Sequence, residues 1–405
     1  MNYHETLEFI HSLGNFSHKA GLERITEALR KLGNPQKNLK AIHVAGTNGK
    51  GSVSAMLSRV LSLAGYKTGL FISPFIIDFR ERIQINGEYI TEEELCAYAK
   101  RVLEAGVALT EFEFITAIAF LYFKEKSVDF LVCETGLGGR LDATNTLCQK
   151  IACVITKIGM DHTLILGDTL STIAREKCGI IKNCVAITDP YQEAEAIQVI
   201  KSAAKELIIP NTDALEIVKS DAFGNTFIYK GKKYDLSLCG NFQVQNALVV
   251  LETLDATGLD IPYNIIYEGL KTTSFPARME MLSREPVIIL DGAHNPDGAA
   301  VLAKELEKYS GKVTAVIGMM RDKDCREVLQ KTLIHCKKAF SVEVENMPRS
   351  LSASELCSIA SEFTECTPME SYEAALAAAK AVADGPIFIF GSLYLAAGIR
   401  KKLKN

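Results

Sequence analysis

A strand, a glycine-rich turn and a helix follow one another without a break between Leu39 and Gly65, and that succession restricts the chain to an α/β fold. Residues 39–45 (Leu-Lys-Ala-Ile-His-Val-Ala) form an apolar run of strand length. Gly46-Thr47-Asn48-Gly49-Lys50-Gly51-Ser52 comes next, and then Val53, Met56, Leu57, Val60, Leu61 and Ala64 recur at helical spacing until Gly65 ends the helix. Successive glycines let backbone N–H groups turn toward an anion, and the helix presents its positive N-terminal end there. Lys50 supplies a cation for the β- and γ-phosphates of a nucleotide. The segment departs from the common G-x-x-x-x-G-K-[ST] pattern, because Val44 stands where the first glycine belongs and Gly51 separates Lys50 from Ser52. A glycine-rich turn can also be simple strand-to-helix geometry; the lysine, the serine and the flanks favour nucleotide phosphate.

The same rhythm continues. Thr68–Ile72, Val128–Cys133 and Ile151–Thr156 read as further buried strands, which predicts a mostly parallel sheet covered by helices. Residues 215–238 differ: short alternating runs broken at Gly224-Asn225 and Gly231-Lys232 predict hairpins and a small antiparallel sheet, followed by a helix from Phe242 to Leu254. Pro276 and Pro286 interrupt regular structure. Beyond them Val287–Leu290, Val313–Ile317 and Ile387–Phe390 read as strands and Gly298–Tyr309 as a helix, and the chain closes on a basic helix. With 405 residues, more than one hydrophobic core is expected. The expectation is an N-terminal P-loop ATPase-like parallel-sheet domain over residues 1–280, carrying the small antiparallel subsheet, and a smaller C-terminal Rossmann-like α/β domain over residues 281–405.

Composition excludes several classes. A formal net charge of −4 gives no support to a nucleic-acid surface. No apolar run approaches the ~20 residues of a membrane span, and the opening Met-Asn-Tyr-His-Glu-Thr lacks the pattern of a signal peptide. The 11 cysteines show no Cys-x-x-Cys pairing, so neither a disulfide framework nor a structural zinc site is expected, and a reducing cytoplasmic setting is.

Glu134 opens Glu-Thr-Gly-Leu-Gly-Gly-Arg-Leu-Asp142-Ala-Thr-Asn145 at the end of a strand, where an open α/β sheet puts its ligands. A carboxylate shared with phosphate oxygens suits Mg²⁺, and a solvated acid on a glycine-rich loop is an equal alternative on this ground alone. His162, in Ile-Gly-Met-Asp-His-Thr, follows the next strand; a lone histidine is more often a core or surface residue. Lys177, in Ala-Arg-Glu-Lys-Cys-Gly-Ile-Ile-Lys on a short helix, would by default be a solvated charge.

Together these stretches resemble the folylpolyglutamate synthase and dihydrofolate synthase family of the Mur ligase superfamily. His-Val-Ala-Gly-Thr-Asn-Gly-Lys-Gly-Ser is similar to its ATP loop, and further matches follow in order from about residue 13 to residue 398. The resemblance implies a magnesium ion held by Ser73, Glu134 and His162, with a second metal site and a monovalent cation such as K⁺ left open. It implies that Lys177 is carbamylated by CO₂, which requires a neutral amine. Asn246 would meet the adenine, Arg278 and His294 the ATP phosphates, and Asp291 the ribose, with ATP between two domains; Asp291-Gly and Asn295-Pro are otherwise turn chemistry. Gly21, Leu22, Arg24, Thr110, Phe112, Glu113, Leu141, Asp142 and Ala143 would contact the pterin, with Phe112 stacked on the ring, although the helix from Leu109 to Phe123 reads as buried on all faces. The sequence departs from the family at Cys178, where alanine is usual, and at Phe75, where histidine follows Ser-Pro.

The activity so implied is ATP-dependent amide formation through an acyl phosphate. L-Glutamate would be joined to folate or dihydropteroate by a monomer, with Lys50, Lys177 and His294 in the chemistry. Three alternatives stand beside it. A peptidoglycan-type amino-acid ligase fits the pterin-loop matches and the length less well. A P-loop switch or transport ATPase would hydrolyse ATP without glutamate. A nicotinamide dehydrogenase lacks Gly-x-Gly-x-x-Gly after the first strand. Which acceptor is used, and how long a glutamate tail is built, is not written in the sequence.

Overall fold

The structure, a computed structural model, describes residues 1–14 and 21–404, with side chains to residue 402. The chain packs into two units. The first comprises Met1–Glu216, Phe227–Asp235 and Gln243–Thr273; the second comprises Ile217–Thr226, Leu236–Phe242 and Ser274–Asn405. The second unit therefore starts at Ser274 and takes in two earlier segments that a single cut at residue 280 assigns to the first domain. The reason lies in packing, since Ala222 and Cys239 are buried in the second unit's core with Ile289, Leu302 and Phe388.

The first unit is built on strands β1 (Lys40–Ala45), β2 (Thr68–Phe71), β3 (Ile83–Ile85), β4 (Glu88–Tyr89), β5 (Phe130–Glu134), β6 (Gln149–Ile155), β7 (Val185–Thr188) and β8 (Leu207–Ile208), in the order β4-β3-β2-β5-β1-β6-β7-β8. From β2 to β8 the neighbours run parallel, and only β3 and β4 pair antiparallel at one edge. β1 and β5 are buried along nearly their whole length, as a sheet covered on both faces demands. The helix Lys50–Leu63 buries Val53, Met56, Leu57, Val60 and Leu61, each contributing about 1.5–3 kcal/mol on removal from water. Residues of the helix Glu111–Glu125 are buried on every face, so it is a core element.

β9 (Leu215–Asp221), β10 (Gly224–Tyr229) and β11 (Lys232–Leu236) form a three-stranded sheet in the order β11-β10-β9, and the helix Asn241–Ala256 follows. The second unit's sheet has the order β12-β13-β17-β14-β15-β16, with β12 (Glu280–Arg284), β13 (Val287–Leu290), β14 (Val313–Ile317), β15 (Cys336–Ser341), β16 (Glu365–Pro368) and β17 (Ile387–Phe390). It is parallel except for the β12–β13 pair. All 11 cysteines are free thiols, seven of them buried.

Candidate active site

Register brings the C-terminal ends of four strands of the first unit side by side. Val44 faces Glu134, Ala45 faces Ile155 and Phe71 faces Cys133. The residues that follow β1, β2, β5 and β6 therefore share one edge, the edge at which open α/β sheets bind ligands.

The turn after β1 is held from its neighbour. The Thr47 and Asn48 amides both donate to the Lys157 carbonyl, at 2.9 and 3.1 Å. Thr47 Oγ1 donates to the Gly159 carbonyl at 3.1 Å and lies 3.0 Å from the Gly159 amide. The expectation that turn amides face a phosphate is thus corrected for these two, which are spent on the strand-end loop of β6. The amides at the start of the helix are another matter. Gly49, with φ +92°, is its N-cap and makes no side-chain cap bond, so the first-turn N–H groups keep their capacity for an anion. Lys50 Nζ folds back to the Thr47 carbonyl at 3.1 Å.

Gly46 and Gly49 are dictated by close approach. A Cβ on Gly46 would stand 1.9 Å from Thr156 Oγ1, and one on Gly49 would stand 2.4 Å from Asn246 Oδ1. Asn246 Nδ2 donates to Gln243 Oε1 at 2.9 Å, and Gln243 Nε2 donates to Ser52 Oγ at 3.1 Å. Asn246, expected at an adenine, is buried against the phosphate loop in this arrangement. Gln243 escaped the sequence reading, although it sits one helical turn before Asn246 on the same face. The roles of Lys157 and Gly159 carry no sequence signal beyond their place after β6.

Lys177 overturns its default. It is 4% exposed at the end of the helix Leu170–Cys178, and its Nζ donates to the Gly46 carbonyl at 2.7 Å. Burial, with the Lys50 charge acting in the same direction, lowers its amine to about 7. Burial thus favours the neutral amine more than in an ordinary solvated lysine.

Glu134 is buried, and the Ser73 amide donates to its Oε2 at 3.2 Å. Ser73 Oγ is buried without a hydrogen-bond partner. His162 opens the short helix Thr163–Leu166 in a left-handed conformation with φ +50°, about half exposed, and its Nε2 lies 3.7 Å from Asp161 Oδ2. No group of three His, Cys, Asp or Glu side chains is gathered as a metal cluster among the described residues. Phe75 is absorbed in packing: its ring meets Phe79 edge-on at 5.6 Å, and the Arg82 guanidinium lies 5.2 Å from its centroid.

The expected pterin contacts are largely bound to one another. Glu113 is the partner of the Thr110 N-cap, accepting from the Thr110 amide at 2.8 Å, and it also takes Arg24 Nε at 3.1 Å. Arg24 Nη2 completes the pair at 3.0 Å from Glu113 Oε1. Phe112 lies against Gly136, where a Cβ would be 2.5 Å from its Cζ, and 5.9 Å from the Phe71 ring. The buried Asp142 carboxylate accepts the Gly136 and Leu137 amides at 2.9 Å each, the Thr144 amide at 3.0 Å and Thr144 Oγ1 at 2.5 Å. It holds the glycine loop after β5 in shape. Ala143 is buried beside it, Leu141 is half-buried, and Gly21 and Leu22 lead into the helix Glu23–Lys31.

In the second unit, Asp291 follows β13 and is buried. Its Oδ2 accepts the Met279 amide at 2.9 Å and its Oδ1 the Ala293 amide at 2.8 Å. Burial raises this carboxyl from its ordinary value, and Arg278 opposes the rise. Arg278 lies between Ala277 and Met279, whose φ values of +52° and +51° put both in the left-handed region, a strain held by Asp291 and by the Gly292 amide on the Ala277 carbonyl at 2.8 Å. His294 Nδ1 lies 2.7 Å from the Gly292 carbonyl, and Asn295 caps the helix Pro296–Leu306 by accepting the Gly298 amide at 2.7 Å.

Known proteins carry the same plan. The family model of the Mur ligase middle domain matches residues 44–254, and that of the dihydrofolate synthetase C-terminal domain matches residues 277–403. A folylpolyglutamate synthase from Lacticaseibacillus casei is 35% identical over 428 residues, covering 100% of this chain and 99% of that one. A dihydrofolate synthase/folylpolyglutamate synthase of Bacillus subtilis is 36% identical over 431 residues, 99% of each. The solved structure of E. coli FolC in complex with DHPP and ADP superposes with a TM-score of 0.88 at 29% identity, covering 100% of this chain and 98% of that one. On full-length identity and on both domain matches, the chain belongs to the folylpolyglutamate synthase/dihydrofolate synthase family of Mur-type ligases.

Proposed function

We propose that the chain is an ATP-dependent ligase that joins L-glutamate to the carboxylate of a folate, and that dihydropteroate is a second acceptor. The observation that carries this reading is the uncapped start of the helix Lys50–Leu63, with Lys50 on it and Glu134 at the neighbouring strand end. The family membership supports it, as do relatives named for both activities and a relative solved with DHPP and ADP.

The first-turn amides and Lys50 bind the β- and γ-phosphates and hold them still. An acceptor carboxylate oxygen attacks the γ-phosphorus; the bond to the β-phosphate oxygen breaks and ADP leaves. The glutamate amine then attacks the acyl carbon, loses a proton, and expels phosphate as the amide forms. Charge that builds on phosphate oxygens is stabilised by preorganised donors, so no nucleophilic serine or cysteine is required.

The donor chemistry fits magnesium. Ser73 Oγ is a buried oxygen without a partner beside the Glu134 carboxylate, and hard oxygen ligands are what Mg²⁺ selects. Ser73 and Glu134, with His162, would hold it, and when bound it neutralises phosphate charge. The lowered amine of Lys177 supports carbamylation of that residue. Arg278, Asp291 and His294 are assigned to the nucleotide, and Arg24, Thr110, Phe112, Glu113, Asp142 and Ala143 to the acceptor side, on the family pattern. No helix among the described residues is long and apolar enough to cross a membrane, and we assign the chain to the cytoplasm as a monomer.

The test is ADP release measured with glutamate plus either dihydropteroate or tetrahydrofolate. Release that needs both co-substrates and matches amide product is expected; glutamate-independent hydrolysis would support a P-loop ATPase instead. Lys177→Ala should be severely impaired, with partial rescue by small carboxylates, and full unassisted activity would remove Lys177 from the mechanism.

A further inference from the structure

The first unit holds a cavity of about 690 Å³ whose wall takes in Leu22 from the expected acceptor side but no residue of the phosphate loop. Its wall includes Gln36 and Lys37 just before β1, Gln149 and Lys150 at the start of β6, and Lys182 and Asn183 just before β7. It therefore lies at the N-terminal ends of the strands whose C-terminal ends carry the phosphate loop, about 20 Å away along a six-residue strand. Its volume is that of a small-molecule site.

The charge on this wall is one-sided. Arg30, Lys37, Lys150 and Lys182 line it, and no Asp or Glu does among the described residues. Arg30 is spent on Glu27, which its Nε and Nη2 reach at 2.8 Å each. Lys37, Lys150 and Lys182 form no ion pair among the described residues.

Lys150 is the informative one. It is 9% exposed, and its Nζ donates to Asn145 Oδ1 at 2.7 Å and to the Ile180 carbonyl at 2.8 Å. Both acceptors are neutral. Lys182 Nζ donates to the Asn145 carbonyl at 3.0 Å, so a second ammonium stands on the same asparagine. A buried ammonium without a counter-ion is costly, and chains seldom keep one without a partner. Of three N–H donors on each lysine, one remains on Lys150 and two on Lys182. The groups nearby that could carry negative charge are the Cys133, Cys153 and Cys184 thiols. Burial holds Cys133 well above the ordinary thiol value, the hydrogen bond with Cys184 and burial do the same to Cys153, whose Sγ donates to the Ile180 carbonyl at 3.2 Å, and Cys184, lowered to about 7 by its hydrogen bond with Cys153, supplies only part of a charge.

We propose that this cavity is a second anion site, taking a small molecule with two or more negative charges on carboxylate or phosphate groups, with the buried Lys150 and the exposed Lys182 and Lys37 on its wall. The inference does not rest on the ligase reading, because every group it uses lies away from the phosphate loop. Bound anion supplies the full counter-charge that a partly ionised Cys184 does not give Lys150 and Lys182.

The test is titration calorimetry on the full chain saturated with ADP, so that the phosphate loop is filled, with inorganic phosphate in one arm and tricarballylate in the other. One further site is expected for at least one probe, and the arm that binds tells phosphate from carboxylate chemistry. Lys182→Gln should weaken it by about tenfold or more, and Lys37→Gln by a smaller factor. Lys50→Ala should leave it unchanged. Both Lys37 and Lys182 are exposed, so these variants keep the test alive if Lys150→Met fails to fold. Absence of binding of either probe up to about 10 mM would overturn the proposal. So would affinity that Lys182→Gln leaves intact, or affinity lost in Lys50→Ala.

Discussion

The turns after β1 and β13 look alike in outline: each leaves the C-terminal end of a parallel strand and runs into a helix. They differ in how their polar groups are satisfied. The helix after β1 starts on Gly49 with no side-chain cap. The helix after β13 is capped by Asn295, and the Asp291 carboxylate before it accepts the amides of Met279 and Ala293, one on each oxygen. An uncapped helix start with a lysine on it keeps its donors for an anion, whereas the capped start has spent one on Asn295, and Asp291 beside it brings acceptor oxygens rather than donors. A strand–turn–helix motif is therefore evidence of an anion site only when its donors are left over.

That contrast can be broken at four points. Lys50→Ala removes the mobile cation from the open turn; ligation, followed as ADP release, should fall by about 10²–10³-fold or more, with the thermal melt unchanged. Near wild-type turnover would end the assignment. Gly49→Ala forces a side chain into the left-handed region and against Asn246, and it should cost about 1–2 kcal/mol in a urea melt as well as activity. An unaltered melt would mean that the turn is looser than its contacts imply.

Asp291→Ala should cost about 1–3 kcal/mol by stranding two buried amides. A raised KM for ATP without loss of stability would show that Asp291 serves the nucleotide and not the fold. Its pH signature has a definite sign. Because burial raises the carboxyl, the folded state holds the proton more tightly than the unfolded state. That contribution to stability is complete at acid pH and lost as pH rises from the ordinary aspartate value through the raised folded one. The stability of the wild type relative to Asp291→Asn should decline across that window, and a flat difference would contradict the shift. Asn295→Ala is the smallest change, about 1 kcal/mol from loss of the cap, read in the same melt.

The strand–turn–helix rhythm was legible because a buried parallel strand needs a continuous apolar run: Val313–Ile317, Val287–Leu290 and Ile387–Phe390 have the residue limits read from the sequence. The strand before Glu134 reads as Val128–Cys133 in the sequence and runs Phe130–Glu134, so Glu134 is its last residue and not the one after it. What escaped has no period. Gln243 reaches Ser52, the Lys157 carbonyl accepts from Thr47 and Asn48, and Arg24 pairs with Glu113, all across long stretches of chain. Such pairings depend on which strands become neighbours, and local spacing does not record that. Lys177 was legible only through resemblance, since a lysine near a helix end reads as solvated. Its burial follows from the approach of its helix to the Gly46 carbonyl. The discontinuity of the second unit escaped for a related reason, because Ala222 and Cys239 are unremarkable until their core partners are known.

The central claim is that the open start of the helix Lys50–Leu63 holds the phosphates of ATP. Titration of the wild type and of Lys50→Ala with ATP and magnesium tests it most directly. A single site is predicted, with Kd raised by about tenfold or more in the variant while the melt stays the same. Equal Kd values for the two proteins would contradict it.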